Sequence, residues 1–200
     1  MGKERLAAFT DAVLAIVMTV LVLELPQPQA ATLAGLWELR VDFLAYALSF
    51  MWLGTMWINI HHEWDAVEKI SPATSWASLI MLFFASFFPW TTAFVSDHVM
   101  SATAQVFYGV VVLAVTASNL VMYRTLVAAD PANPALALQL RTRERWMAGD
   151  VLIKVAGMVV AALWYPPAMM IAVLLAGIVF AVPAAFRGVR RTRERDVTAA

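Results

Sequence analysis

The chain contains no cysteine, so neither a disulfide framework nor thiolate metal ligation is available to it. Charge is scarce as well, at 14% of the 200 residues, and the 14 acidic and 14 basic side chains cancel to a formal net charge of zero. That balance gives no electrostatic reason to expect nucleic acid as a partner. Glycine is limited to 8 residues with no glycine-rich run, so no Thr-Val-Gly-Tyr-Gly type loop exists to present backbone carbonyls to an ion. What fills the space is apolar: 62% of the residues are hydrophobic and the mean hydropathy is +0.75. A soluble domain of this size cannot hide so much apolar surface.

The apolar residues gather into stretches at 12–25, 43–60, 76–95, 104–123, 151–165 and 168–186. Several approach the ~20 residues that one bilayer crossing requires. The sequence therefore predicts an all-α polytopic membrane protein of six transmembrane helices, forming one domain over 1–200 with a basic tail at 187–200. Tyr165-Pro166-Pro167 is a very short turn between the last two stretches, and Lys154 interrupts the fifth. Glu24 and Pro26 follow the first stretch where a cleaved signal peptide would carry small residues, which argues for a retained helix.

Six crossings sort the charges. The N-terminus, the 61–75 and 124–148 connections and the tail hold twelve of the 14 basic residues, from Lys3 and Arg5 to the arginines at 187–195. The opposite connections, 26–35, 96–99 and 165–167, hold none. The positive-inside bias places both termini in the cytoplasm, and the arginines meet lipid headgroups there. The connection "DPANPALALQLRTRERW" at 130–146 is expected to begin a short helix lying at the headgroups.

The first apolar segment, "RLAAFTDAVLAIVMTVLVLELPQP", poses a problem of its own because Asp11 lies in it. At 100° per residue Phe9, Ile16, Val20 and Leu23 fall within about 60° of one another, whereas Asp11 points about 140° away from Ile16. A carboxylate facing lipid at this depth costs several kcal/mol, so Asp11 is expected to face protein donors. The end of the second stretch, "FMWLGTMWINIHHEWD", supplies them in Trp52, Trp57, Asn59, His61, His62 and Trp64. The tryptophans also suit an interfacial belt, and the histidines a wet helix end. A metal site of His61, His62 and Asp11 is disfavoured because adjacent histidines do not share a helix face.

"RLAAFTDAVLAIVMTVLVLEL" resembles the signature of the bacterial branch of the endolysosomal potassium channel family, Arg-x-x-x-Phe-Ser-Asp followed by an aliphatic pore helix. Here Arg5, Phe9, Thr10 and Asp11 occupy the motif, with threonine keeping the hydroxyl of the usual serine. "WINIHHEW" is similar to that family's tryptophan and paired-histidine segment, and "LIMLFFASFFPWTTAFVSDH" to its third helix. The resemblance covers most of 5–123. It implies a homotetramer of six-helix subunits in a bacterial cell membrane, with the first helices lining a central pore that passes potassium and needs no cofactor. Carried over by position, Ile16, Val20 and Leu23 form the constriction and Thr19 a hydroxyl layer, while Trp57, Asn59, His61 and His62 serve motif and helix anchoring.

The stripe also has a chemistry of its own. Four aliphatic rings closing on an axis make a dry neck that strips a permeating ion of water. Other classes compete with a channel: a proton-coupled transporter carrying its proton on Asp11, or a non-conducting scaffold. An inverted repeat with broken helices, which a midplane substrate site requires, is not visible. Enzyme chemistry is not expected, since Ser49, Ser86, Thr91, Thr92, Ser118 and Asn119 are dispersed and suit helix packing.

Overall fold

The computed structural model describes residues 2–65, 67, 69–131 and 133–181; the side chains of His62 and Arg141 and the basic tail 187–200 lie outside the described residues. Every described element is a helix: α1 Lys3–Leu23, α2 Leu33–Glu38, α3 Arg40–Asp65, α4 Pro72–Ala85, α5 Phe88–Asp97, α6 Ala102–Ala129, α7 Pro134–Leu163 and α8 Ala168–Ala176, the last running into a π-helical turn at Gly177–Ala181. Five segments are long and apolar enough to cross a membrane: Lys3–Leu23, Arg40–His61, Pro72–Asp97, Ala102–Ala129 and Thr142–Leu163. Ala168–Val179 is apolar but shorter. The protein is thus an all-α polytopic membrane protein with at least these five apolar spans.

In lipid every backbone polar group must be satisfied within the segment, which is why the apolar runs are helices. The third span departs from this in one place. Pro89 has no N–H and its ring crowds the carbonyl of Ala85, so the span bends into α4 and α5 across Ser86 and Phe87. Local bonds adjust at the break: Phe87 N–H donates to Phe84 O at 3.2 Å, and the Ser86 hydroxyl donates to the Phe83 O so released at 2.7 Å. The N-terminus of α4 is closed by a capping box in which Ser71 and Thr74 satisfy each other's backbone N–H groups.

α6 is the centre of the subunit. It packs on α4 and α5 along one side and on α7 and α8 along the other, while α1 lies on α3, α4 and α5. Leu14, Leu21, Leu53, Met81, Phe88, Tyr108, Val112, Val115 and Met122 form the common core, none of them more than 1% exposed. Between membrane helices close packing replaces hydrophobic burial as the source of cohesion, and small residues permit it. A Cβ on Gly157 of α7 would run into Ala172 of α8, and one on Gly109 of α6 would lie 2.9 Å from the Met169 sulfur.

The cytoplasmic-side expectation for 124–148 needs correction. α6 continues to Ala129 and α7 begins at Pro134, so the turn is confined to 130–133 and the arginine-rich stretch is the start of one 30-residue helix, not a separate headgroup helix. Pro134 suits the first helical turn, and arginine, glutamate and leucine are good helix formers thereafter. The two strands of this helical hairpin are joined by Arg124 and Glu144, Nη2 to Oε1 at 2.7 Å. Between α1 and α3 the short α2 is capped by Thr32, whose Oγ1 accepts from Gly35 N–H at 3.1 Å.

Candidate pore helix and its anchors

α1 is divided lengthwise by its environment. Leu6, Thr10, Leu14, Val17 and Leu21, spaced three or four residues apart, are buried against the bundle. The flank carrying Phe9, Ile16 and Leu23 is uncovered, with Ile16 61% and Leu23 77% exposed. Arg5 and Thr19 are exposed on the same helix and Val20 is half-buried at the edge.

Two polar contacts fix which way the helix faces. Trp57 of α3 donates its indole Nε1–H to Asp11 Oδ1 at 2.8 Å. Thr10 donates its hydroxyl to Leu6 O at 2.9 Å, and its oxygen lies 3.1 Å from Ser78 Oγ of α4, which is then the donor. Thr10 and Asp11 therefore hold α1 to two different helices. Leu14, Val17 and Leu21 pack between them, and Met18 Cε sits 3.5 Å from where a Cβ on Gly54 would stand, so α1 and α3 approach closely. At the N-terminus Lys3 donates its ammonium to the carbonyl of Val67.

The remaining sequence-predicted residues are placed less closely. His61 is exposed, its ring 5.9 Å from that of Trp57. Asn59 is half-buried, and among the described residues it makes no hydrogen bond to α1. The His62 side chain lies outside the described residues. Among the described residues no group of three or more histidine, aspartate or glutamate side chains could hold a metal ion.

Thr19 bears on what the uncovered flank can do. Its hydroxyl proton is spent on Ile16 O, at 2.9 Å within the same helix. The oxygen's lone pairs remain available to a cation, which needs acceptors and no donor. Sequence reasoning missed Ser78 as the partner of Thr10, because a serine in an apolar membrane helix reads as packing. It also missed Lys3 and Val67, whose pairing across 64 residues leaves no local signal.

Residues 5–89 match the family model described as the endosomal/lysosomal potassium channel TMEM175. A potassium channel of Chryseobacterium sp. (strain P1-3) is 32% identical over 136 residues, covering 68% of this chain and 71% of that one. The chain belongs to the bacterial branch of the TMEM175 family. A potassium channel of Streptomyces collinus is 33% identical over 98 residues, covering 47% of this chain and 48% of its own. The fold is that of a lysosomal potassium-selective channel TMEM175 homolog from Chamaesiphon minutus, with a TM-score of 0.68 at 23% identity over 94% of this chain and 97% of the other.

Proposed function

We propose that this TMEM175-family chain assembles as a homotetramer into a potassium-preferring cation channel, with four copies of α1 around the conduction path. The observation that carries the reading is the division of α1. One face is tied to the bundle by Asp11–Trp57 and Thr10–Ser78, while Ile16 and Leu23 on the other flank are left mostly uncovered by the described residues. A flank held so firmly toward nothing suits a neighbouring copy. Ile16, Val20 and Leu23 then form stacked aliphatic rings that close to a dry gate, and an outward tilt of α1 opens it.

Thr19 supplies the one polar layer in the neck. Four hydroxyl oxygens cannot replace a full hydration shell, so preference for potassium arises from the cheaper dehydration of the larger ion and is modest. Asp11, Trp57 and Thr10 position α1 through the bonds described, Arg5, Phe9, Asn59, His61 and His62 are assigned to the same motif and helix anchoring, and none of these residues ligates the ion. The transmembrane count proposed is six: α8 and its π-helical extension continue the apolar run that ends at 186, and an even number of crossings leaves both termini and the basic tail in the cytoplasm. In the Asp11 transporter alternative the carboxylate would need to be free to exchange protons with the path; its hydrogen bond from Trp57, on a side of α1 turned away from Ile16, favours the channel.

Reconstitution into planar bilayers under opposed potassium and sodium gradients tests this reading. The reversal potential should favour potassium, and Thr19→Val should lower conductance or the preference by removing the oxygen layer, with Thr19→Ser retaining it. A wild-type protein that passes no ion, or a Thr19→Val channel indistinguishable from wild type, would place the pathway elsewhere or abolish it.

A further inference from the structure

Lys154 sits near the middle of the Thr142–Leu163 span and is 1% exposed, a cation enclosed by protein at membrane depth and far along the sequence from the pore helix. Its Nζ donates to Asp150 Oδ2 at 2.6 Å and to Thr116 Oγ1 of α6 at 3.3 Å, and stands 5.1 Å from the ring centroid of Trp52 on α3. Such charges are expensive in a bilayer and are tolerated where they are paired and enclosed. An aliphatic side chain of the same length would fill the space without that expense. What the ammonium adds is direction: two hydrogen bonds and a ring face, on three different helices, held by one atom.

The Trp52 ring passes the constraint on. It stacks against Phe88, centroids 4.9 Å apart and planes 13° from parallel. Phe88 is the first residue of α5, immediately after the break in the third span, and it is fully buried with its edge toward Tyr108 at 6.0 Å. Tyr108 shares a hydrogen bond with Ser49 at 3.1 Å, and Thr92 of α5 donates to Ser49 at 2.8 Å. α5 packs in turn on α1. The half-helix behind the proposed gate is therefore held from the α7 side by a contiguous series of contacts that begins at Lys154.

We infer that Lys154 is a positioning residue for conduction: held by Asp150 and Thr116, it orients Trp52 against Phe88 and so fixes the half-helix α5 that backs α1. The inference rests on the channel reading given above. Loosening this support eases the outward tilt of α1, so loss of the ammonium raises the open fraction while the ions passed stay the same, because no pore-facing group is altered.

The test uses the full-length assembled protein as wild type, Lys154→Met, Lys154→Arg and the double variant Asp150→Asn/Lys154→Met, the last avoiding an unpaired buried carboxylate. Bilayer recording reads open fraction and reversal potential, and amide hydrogen exchange reads residues 88–97. The double variant should raise the open fraction and the exchange of α5 by about tenfold each with an unchanged reversal potential, whereas Lys154→Arg should stay within about twofold of wild type. A double variant that assembles with wild-type open fraction and wild-type α5 exchange would overturn the inference and leave the pair a packing feature. A shifted reversal potential would also overturn it, by showing that Lys154 acts on the permeating ion directly. Absence of current from wild type would instead overturn the channel reading, taking the conduction role of Lys154 with it; in that event exchange in α5 still separates the two failures.

Discussion

Asp11 and Trp57 are 46 residues apart in sequence and 2.8 Å apart in space, carboxylate oxygen to indole nitrogen. The pair joins α1 to α3 on the side away from Ile16, so its first consequence is for assembly. Asp11→Leu leaves the indole N–H without its acceptor, at a typical cost of about 1–3 kcal/mol, and Asp11→Asn, which keeps a carbonyl oxygen, should cost less. Thermal unfolding of the detergent-solubilised protein should rank wild type above Asn above Leu. Were Asp11→Leu as stable as wild type but altered in ion preference, the carboxylate would belong to the conduction path.

Ile16 and Leu14 are near neighbours with opposite expected phenotypes. Ile16→Ala or Leu23→Ala trims an uncovered residue, so stability should hardly change and basal current should rise as the dry segment widens. Leu14→Ala opens a cavity at a fully buried site and should cost roughly 2–5 kcal/mol of stability. Paired melting and bilayer measurements on these variants decide it. Equal destabilisation at 14 and 16 would mean that both faces pack within the subunit.

The absence of cysteine makes topology direct to measure, since each introduced thiol is the only one present. Gln27→Cys, beyond the end of α1, should react with a membrane-impermeant maleimide on intact cells. Gly2→Cys should react only after permeabilisation. The reverse pattern would invert the whole subunit and with it the assignment of the cytoplasmic mouth.

Gly157 offers a test of the α7–α8 packing. Gly157→Val drives its side chain into Ala172 and toward the Ala168 carbonyl, and overpacking of this kind costs about 1–3 kcal/mol. Gly177→Ala is the control, because among the described residues no neighbouring element comes within 4 Å of the added carbon. The valine variant should melt at lower temperature than the control; matching melting curves would mean that the two helices separate readily.

Apolar composition and length made the spans legible, and the 3.6-residue period separated Asp11 from the Ile16 flank before any contact was known. Periodicity names a face and leaves its partner open. Six donors along the second apolar stretch were candidates for Asp11, the later ones at about its depth, and only folding selects the indole of Trp57. Ser78 and Thr116 were invisible as partners because a hydroxyl in a membrane helix carries no mark of what it bonds. Lys154 read as a blemish in an apolar run, since its acceptor Asp150 is local but Thr116 and Trp52 are distant in sequence. The bend at Ser86–Phe87 follows from Pro89, although 76–95 reads as one apolar stretch, and the length of α7 was hidden by its arginines, whose charge suggests a loop although their helix propensity is high.

That length has a mechanical corollary. Thirty residues of unbroken helix extend ~45 Å, against a hydrocarbon thickness of ~30 Å, so α7 protrudes from the bilayer as a stiff rod. Its span has the smallest share of fully buried residues of the five, although it packs on both α6 and α8. A thinner bilayer leaves more of the rod unmatched and is accommodated by tilt. Because the rod is continuous, a tilt that lipid imposes on α7 should reach the Arg124–Glu144 pair, which makes acyl-chain length a testable influence on the subunit's posture.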